Sequence, residues 1–388
     1  MFSSYTAHGG MKRIELVFFD AGGGHRSAAN ALKHVIEQKG LAWDVQLMNL
    51  QELLDSMDIF RKLTGIRLQD IYNLLLKKGW TLGSAQMLVF MHGVIRVLHG
   101  QTVRMLRDYW RKARPDMVVS VIPNFNRAML ESLRAEFPGV PFVTILTDMA
   151  DYPPHFWIER QEQHLICGSE KAVQQAYSFG HPRHRVFRAS GMILNPRFYE
   201  LPPIDRAAER RKLNLDPDLP TGLLLFGGQG SSVMEVILRK LDASPVRLQM
   251  VAVCGHNDRL HERLKRLKIR FPLHVVGFTR EVPLLMQLSD FMIGKPGPGS
   301  ISEAAHLKLP VVVQRNALTL PQERYNAAWV EEQGIGLVVR SFEREITGAV
   351  EKLLDPKTFA GMRERLAKLD NKAVFEIPAI LEQILTKM

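Results

Sequence analysis

Three groups of residues in this 388-residue chain have the types and spacing that chemistry uses. Residues 290–310 read DFMIGKPGPGSISEAAHLKLP. The apolar run 291–293 has strand length, and Gly294, Gly297 and Gly299, with Pro296 and Pro298 between them, form a loop that no helix crosses. Ser300 and Ser302 then lead into a helical segment. A strand, a glycine loop and a helix start make an anion site, because the free N–H groups of the first turn and the helix dipole face the loop. The missing side chains at Gly297 and Gly299 admit a diphosphate to the backbone. Glu303, one turn in, is placed to accept from a pair of ribose hydroxyls. The same pattern also fits an ordinary strand–helix turn in which Glu303 only caps the helix. It is not a Walker loop, since Lys295 precedes the glycines and no Gly-Lys-Ser/Thr follows.

The second group is His25, directly after Gly22-Gly23-Gly24 at the start of a helical stretch. It is either a cap facing solvent or a general base at the open edge of a sheet. The third is Asp148, just past a strand. Open α/β sheets place ligands there, but turns also use carboxylates.

The elements that must position these groups alternate. RIELVFFD (13–20) reads as a buried strand and 26–39 as a helix with Ala28, Ala29, Ala31, Leu32, Val35 and Ile36 on its sheet-facing side. Strands follow at 116–122, 141–147 and 163–167, with a helix at 124–136 and another capped by Ser169. The Pro- and charge-rich stretch 192–218 reads as a linker. A second series follows: strands 221–226, 247–254, 273–278 and 310–313, with the opening stretch among them. Each ends in small or polar residues that fall along one edge. Two domains are expected from the length. The boundaries are 1–195, carrying a basic helical insert at about 59–114, and 196–388.

Composition narrows the class. Hydrophobic residues at 46% and charged residues at 23% describe a soluble globular protein. Cys167 and Cys254 both lie in apolar runs, which argues against a disulfide framework or a zinc site. The N-terminus lacks a basic-then-apolar signal pattern, and no run reaches the length of a spanning helix. The net charge of +11 points to a polyanionic partner. Nearly all of it sits in 59–114, where eleven Lys or Arg face two acids among Leu, Met and aromatics. Lys77, Lys78, Trp80 and Phe90 mark an interfacial patch for an anionic membrane surface. The competing reading is a helical hairpin packed on the core with solvated lysines.

Taken together, GGGHRSAANAL (22–32), TDM (147–149), FGGQGS (226–231), CGHN (254–257), GFTREV (277–282), GKPGPGSISEA (294–304) and PQERYNA (321–327) resemble the GT-B glycosyltransferases that build glycolipids. These are the monogalactosyldiacylglycerol synthases and processive diacylglycerol glucosyltransferases. More distantly, the chain is similar to the N-acetylglucosaminyltransferase that completes lipid II. The resemblance covers nearly the whole length. It implies an α/β fold of two Rossmann-like domains facing each other across a cleft, the first binding the acceptor and the second a UDP-sugar. It implies Phe278 and Thr279 at the uracil, Glu303 at the ribose, and Gln322 and Glu323 at the sugar hydroxyls. Gly230, Ser231, Gly299 and Ser300 fall at the phosphates. Gly24, Gly228, Gly255, Ile301 and Asn326 complete the donor set. His25 falls in the base region and Asp148 at an acid near the acceptor. No metal or other cofactor is expected.

Two departures bear on the substrate. Gln229 interrupts a loop more glycine-rich in several relatives, and DYPPHFW after Asp148 lacks the His-Pro-Trp pattern of the galactolipid enzymes. The resemblance thus implies inverting transfer of a hexose from UDP to a membrane lipid such as diacylglycerol, on the cytoplasmic face of the cell membrane. The alternatives are a soluble transferase with a small-molecule acceptor and a UDP-sugar 2-epimerase, neither of which needs the basic insert. No nucleic-acid module is recognisable, so nucleic acid is not an expected partner.

Overall fold

The computed structural model describes residues 11–20, 23–55, 84–153 and 155–387. Its strands form two six-stranded sheets, and every ladder is parallel. The first holds β1 (Lys12–Phe18), β2 (Trp43–Asn49), β3 (Met117–Ser120), β4 (Phe142–Ile145), β5 (His164–Cys167) and β6 (Val186–Arg188), in the order β2-β1-β3-β4-β5-β6. The second holds β7 (Thr221–Leu225), β8 (Gln249–Val253), β9 (Leu273–Val276), β10 (Phe291–Gly294), β11 (Val311–Gln314) and β12 (Gly336–Val339), in the order β12-β11-β10-β7-β8-β9.

Helices cover both sheets, so central strands such as β3, β4, β7 and β10 are buried along their whole length and are built mostly from Val, Ile, Leu, Met and Phe. The first sheet carries α1 (Gly24–Gln38), α2 (Leu50–Asp55), α3 (Ser84–Ala113), α4 (Asn126–Glu136) and α5 (Glu170–Ser178). The second half carries α6 (Arg206–Lys212), α7 (Val233–Asp242), α8 (Asp258–Lys265), α9 (Val282–Leu288), α10 (Pro298–His306), α11 (Arg324–Gln333), α12 (Phe342–Leu354) and α13 (Pro356–Ala367), followed by α14 (Ala373–Thr386).

Strand order sets where ligands go. It reverses between β1 and β3 in the first sheet and between β7 and β10 in the second. Such switch points open a crevice beyond the carboxyl ends of the strands. The loops after β1, β7 and β10 are the three glycine loops of the sequence.

Three features differ from the expectations above. Strands β2, β6 and β12 were not anticipated. The last helix, α14, does not stay with the second half. Ala373, Ile377, Leu381 and Ile384 pack into the core of the first sheet, and Val374 meets Ala31 and Val35 of α1. The basic insert also divides. Residues 56–83, and with them Lys77, Lys78 and Trp80, lie outside the described residues, as does the side chain of Phe90 on α3. Farther along α3 the helix belongs to the core: Leu106 and Trp110 are fully buried, and the Trp110 indole donates to Ser132 Oγ at 2.9 Å. Arg111 and Arg107 pair with Glu136 and hold its carboxyl below the usual range. These two charges are spent inside the fold. Val97, 84% exposed, lies on an outer side of the helix shared with Arg96, Gly100 and Arg104.

Candidate active site

On the second sheet the site is assembled from loops that tie one another down. After β7 the chain turns at Gly227 to Gly230, and after β8 at Gly255. The His256 N–H donates to the Gly228 carbonyl at 2.8 Å, and Asn257 Nδ2 to that of Gln229 at 3.1 Å. Gly255 has φ +61°, and a Cβ there would stand 2.2 Å from Gly228 O, so only glycine lets the two loops touch. Gly228 and Gly299 face open space. Phe278, 59% exposed, lies on the His256 imidazole with ring centres 4.0 Å apart and planes at 18°. The Thr279 hydroxyl accepts from Glu281 N–H at 3.0 Å and shapes the turn after Phe278.

The loop after β10 ends at Pro298, which opens α10 with a residue that has no N–H to leave unpaired. The first intrahelical bond is Ile301 N–H to Gly297 O, so the N–H groups of Gly299 and Ser300 point out of the helix start. Ser300 Oγ donates to Gly297 O at 3.2 Å. Glu303 follows on the same helix. It is half-buried, has no side-chain partner among the described residues, and burial pushes its carboxyl up to about 7.

Two residues of the expected donor set have other work. Ile301 is fully buried in the core and its N–H is already used. Asn326 is also fully buried, and its Nδ2 donates to Pro296 O at 2.9 Å, strapping the glycine loop to α11. Next to it, Gln322 Oε1 is buried with no donor among the described residues, and Glu323 Oε1 takes the Lys295 ammonium at 3.0 Å. Ser231 Oγ accepts weakly from Val233 N–H at 3.4 Å, at the start of α7.

The other side of the cleft comes from the first sheet. His25 is the second residue of α1, after Gly24, and the left-handed Gly23 (φ +79°) makes the turn into it. Its Nδ1 lies 3.0 Å from the Thr147 hydroxyl, and its ring lies 5.9 Å from that of Trp157. Burial lowers its pKa to about 4, against a hydrogen bond to the Val121 carbonyl that favours the charged form. His25 is therefore a neutral imidazole at pH 7. Asp148, buried beyond the end of β4, is pushed up to about 7 by desolvation, and the Trp157 indole donating at 2.9 Å to its Oδ2 opposes that rise. Glu323 and Lys295 of the second half are among the charges that act on it. Met149, the next residue, packs into the core of the second half with Leu225, Met292 and Ile301. The two sheet edges thus meet at Asp148.

A family model described as the glycosyltransferase family 28 C-terminal domain matches residues 223–379, and one described as monogalactosyldiacylglycerol (MGDG) synthase matches 25–191. The chain is a GT-B glycosyltransferase. Among curated proteins it is 28% identical to a probable monogalactosyldiacylglycerol synthase of Glycine max, over 96% of this chain and 71% of that one. It is 26% identical to monogalactosyldiacylglycerol synthase 1 of Arabidopsis thaliana, over 97% and 72%. Among solved structures the transferase superposes on Acinetobacter baumannii MurG with a TM-score of 0.61 at 14% identity, covering 97% and 100% of the two chains. It also superposes on a UDP-GlcNAc 2-epimerase from Neisseria meningitidis with 0.59 at 14%, again covering 97% and 100%. At that identity both likenesses describe the fold alone.

The structure of this glycosyltransferase adds four residues that sequence reasoning left out of the site: Lys295, His256, Thr147 and Trp157. Lys295 sits between the glycine loops, its Cε 3.5 Å from where a Cβ would stand at either Gly227 or Gly297. It had been weighed only as evidence against a Walker loop. Thr147 and His256 belong to the TDM and CGHN motifs, adjacent to Asp148 and Gly255. Trp157 lay in a segment compared only with a pattern it lacks.

Proposed function

We propose that this enzyme transfers a hexose, with inversion, from a UDP-sugar to diacylglycerol at a membrane surface. The observation that carries the reading is the meeting of two unlike sheet edges, with donor-side Lys295 and Glu323 acting on Asp148. Phe278 and Thr279 receive the uracil and Glu303 the ribose. The loops at Gly228, Gly230, Ser231, Gly255, Gly299 and Ser300 receive the diphosphate, and Gln322 with Glu323 the sugar. His25 takes the proton of the acceptor hydroxyl as that oxygen bonds to the anomeric carbon. In the same step the bond from this carbon to the diphosphate breaks, and UDP leaves with the electron pair. Helix and loop N–H groups, with Lys295, meet the leaving charge, so the transfer needs no metal. The likeness of 25–191 to MGDG synthases supports diacylglycerol as acceptor.

The test incubates the purified chain with UDP-glucose, UDP-galactose or UDP-GlcNAc and diacylglycerol-containing vesicles, with and without EDTA, and reads the lipid fraction by mass spectrometry. One hexosyl-diacylglycerol is expected, in equal yield with EDTA, and Gln322→Ala or Glu323→Ala should blur the choice among donors. Turnover of UDP-GlcNAc with no acceptor present would replace this reading with an epimerase.

The same reading makes the protein peripheral on an anionic cytoplasmic leaflet. No helix among the described residues is long and apolar enough to cross a membrane. The charge of 59–114 supports surface binding, each basic residue contributing about 1 kcal/mol near an anionic surface and less at high salt. Neutralising Lys77 and Lys78 together with Trp80→Ala should lower co-sedimentation with anionic vesicles and leave donor affinity intact. Equal recovery in the supernatant from neutral and anionic vesicles, for parent and variant alike, would remove the membrane from the proposal.

A further inference from the structure

The loop between β4 and β5 is gripped from two sides. From the turn before α4, the Asn124 N–H donates to Phe156 O at 2.7 Å, and from the first residue of α4, Asn126 Nδ2 donates to Trp157 O at 3.1 Å. From within the loop, Asp151 accepts the backbone N–H of Trp157 at 2.6 Å and that of His155 at 3.1 Å. The Gln175 side chain of α5 holds both the N–H and the carbonyl of Asp151, each at 2.9 Å. Asp151 and Gln175 spend their polar atoms on the loop's backbone, and Asn126 gives it Nδ2 while its Oδ1 has no partner among the described residues; bonds of this kind fix one backbone shape. The shape here delivers a fully buried Trp157 whose indole N–H meets Asp148 Oδ2 at 2.9 Å.

We propose that Trp157 is a positioning residue for the transfer, its indole N–H fixing one oxygen of Asp148 and leaving Oδ1 for the acceptor, with Asp151 holding Trp157 in place. The inference rests on the reading that Asp148 works on the acceptor. Its physical basis is that a donor to a carboxylate both orients it and favours its charged form. The groups that act on Asp148 are the Trp157 indole and Asp151 from its own loop and Lys295 and Glu323 from the second half; the His25 ring lies 5.9 Å from that of Trp157. Of these, only the indole is bonded to it.

Trp157→Phe deletes the N–H and keeps an aromatic ring. The acid limb of kcat should move up by about one pH unit, tenfold in the ionisation equilibrium, with KM for the UDP-sugar unchanged. In an Asp148→Asn background, Trp157→Phe should cost nothing further, because the cycle isolates the pair. An acid limb left in place, or equal losses in both backgrounds, overturns the proposal. If Trp157→Phe is recovered unfolded, Gln175→Ala, which releases Asp151 without changing any charge beside Asp148, decides by the same limb: an upward shift supports the role and an unmoved limb refutes it. A second readout needs no turnover. Asp148 has a raised pKa when folded, so its contribution to stability is complete at low pH and is lost as pH rises through the folded value. Trp157→Phe should therefore widen the fall in Tm between pH 5 and pH 9 relative to the parent, and an unchanged fall counts against it. Failure of the transfer reading itself would instead show as a parent that makes no glycolipid.

Discussion

His25→Ala gives a folded protein that binds donor as the parent does and transfers sugar about 10²- to 10⁴-fold more slowly, the usual contribution of a general base. The position supports this. His25 stands at the start of α1 on the switch-point edge, its Nδ1 beside Thr147 Oγ1 and its ring neighbouring the tryptophan that bonds Asp148. With a pKa near 4 the ring is unprotonated across the whole working range, so His25 does not produce an acid limb near pH 7. On the proposed reading that limb belongs to Asp148, and it should survive in whatever activity His25→Ala retains. Stability supplies an independent check. Between pH 6.5 and 4 the unfolded chain protonates this histidine and the folded chain does not, so His25 costs stability as pH falls through that window. His25→Ala should flatten that part of the Tm profile. Kinetics with saturating and limiting donor, together with Tm from pH 4 to 8, make both measurements. A loss in donor affinity matching the loss in kcat would move His25 from base to donor ligand.

What the sequence disclosed follows from how locally each feature is determined. The buried central strands are largely apolar runs, and α1, α5, α7, α10 and α12 start after glycine or serine, so much of the alternation of strands and helices was legible from neighbours alone. The three strands that escaped notice are all at sheet edges: β2 and β6 in the first sheet, β12 in the second. An edge strand needs no fully apolar run, and β2 reads WDVQLMN, with polar residues at Asp44, Gln46 and Asn49. Helix α14 is apolar enough to signal burial, but its sequence does not say which sheet it returns to. The site shows the same division. Glu303 follows from its place one turn beyond a glycine loop. Asp148 and Glu323 were each named from a motif, but their mutual influence crosses 175 positions of chain and appears only when both sheets are in place. Trp157 acts through a bond to Asp148 that no spacing rule encodes.

Glu303 carries the second large expectation. Glu303→Ala should weaken UDP-glucose or UDP-galactose binding by about 10- to 100-fold, the loss of hydrogen bonds to a charged acceptor, roughly 1.5–3 kcal/mol. The carboxyl is half-buried, lacks a partner among the described residues, and is held near pKa 7 by desolvation alone, so the folded chain sustains an unfavourable charge there. Two ribose hydroxyls donating to it would relieve that state and favour ionisation. Donor binding should therefore release protons near pH 6–7, and affinity should fall as pH drops below about 7. A UDP-sugar is the right probe, because its diphosphate diester does not titrate in this window as free UDP does. Glu303→Gln keeps one acceptor oxygen and removes the charge, so it should abolish the pH dependence and retain part of the affinity. Calorimetry in two buffers of different ionisation enthalpy counts the protons. The unliganded protein should respond in the opposite sense: above pH 7 either substitution removes a buried charge and raises Tm, while at pH 5 that advantage disappears. Unchanged donor affinity in Glu303→Ala, or proton release that persists in Glu303→Gln, would show that the ribose is held elsewhere and that Glu303 only caps α10.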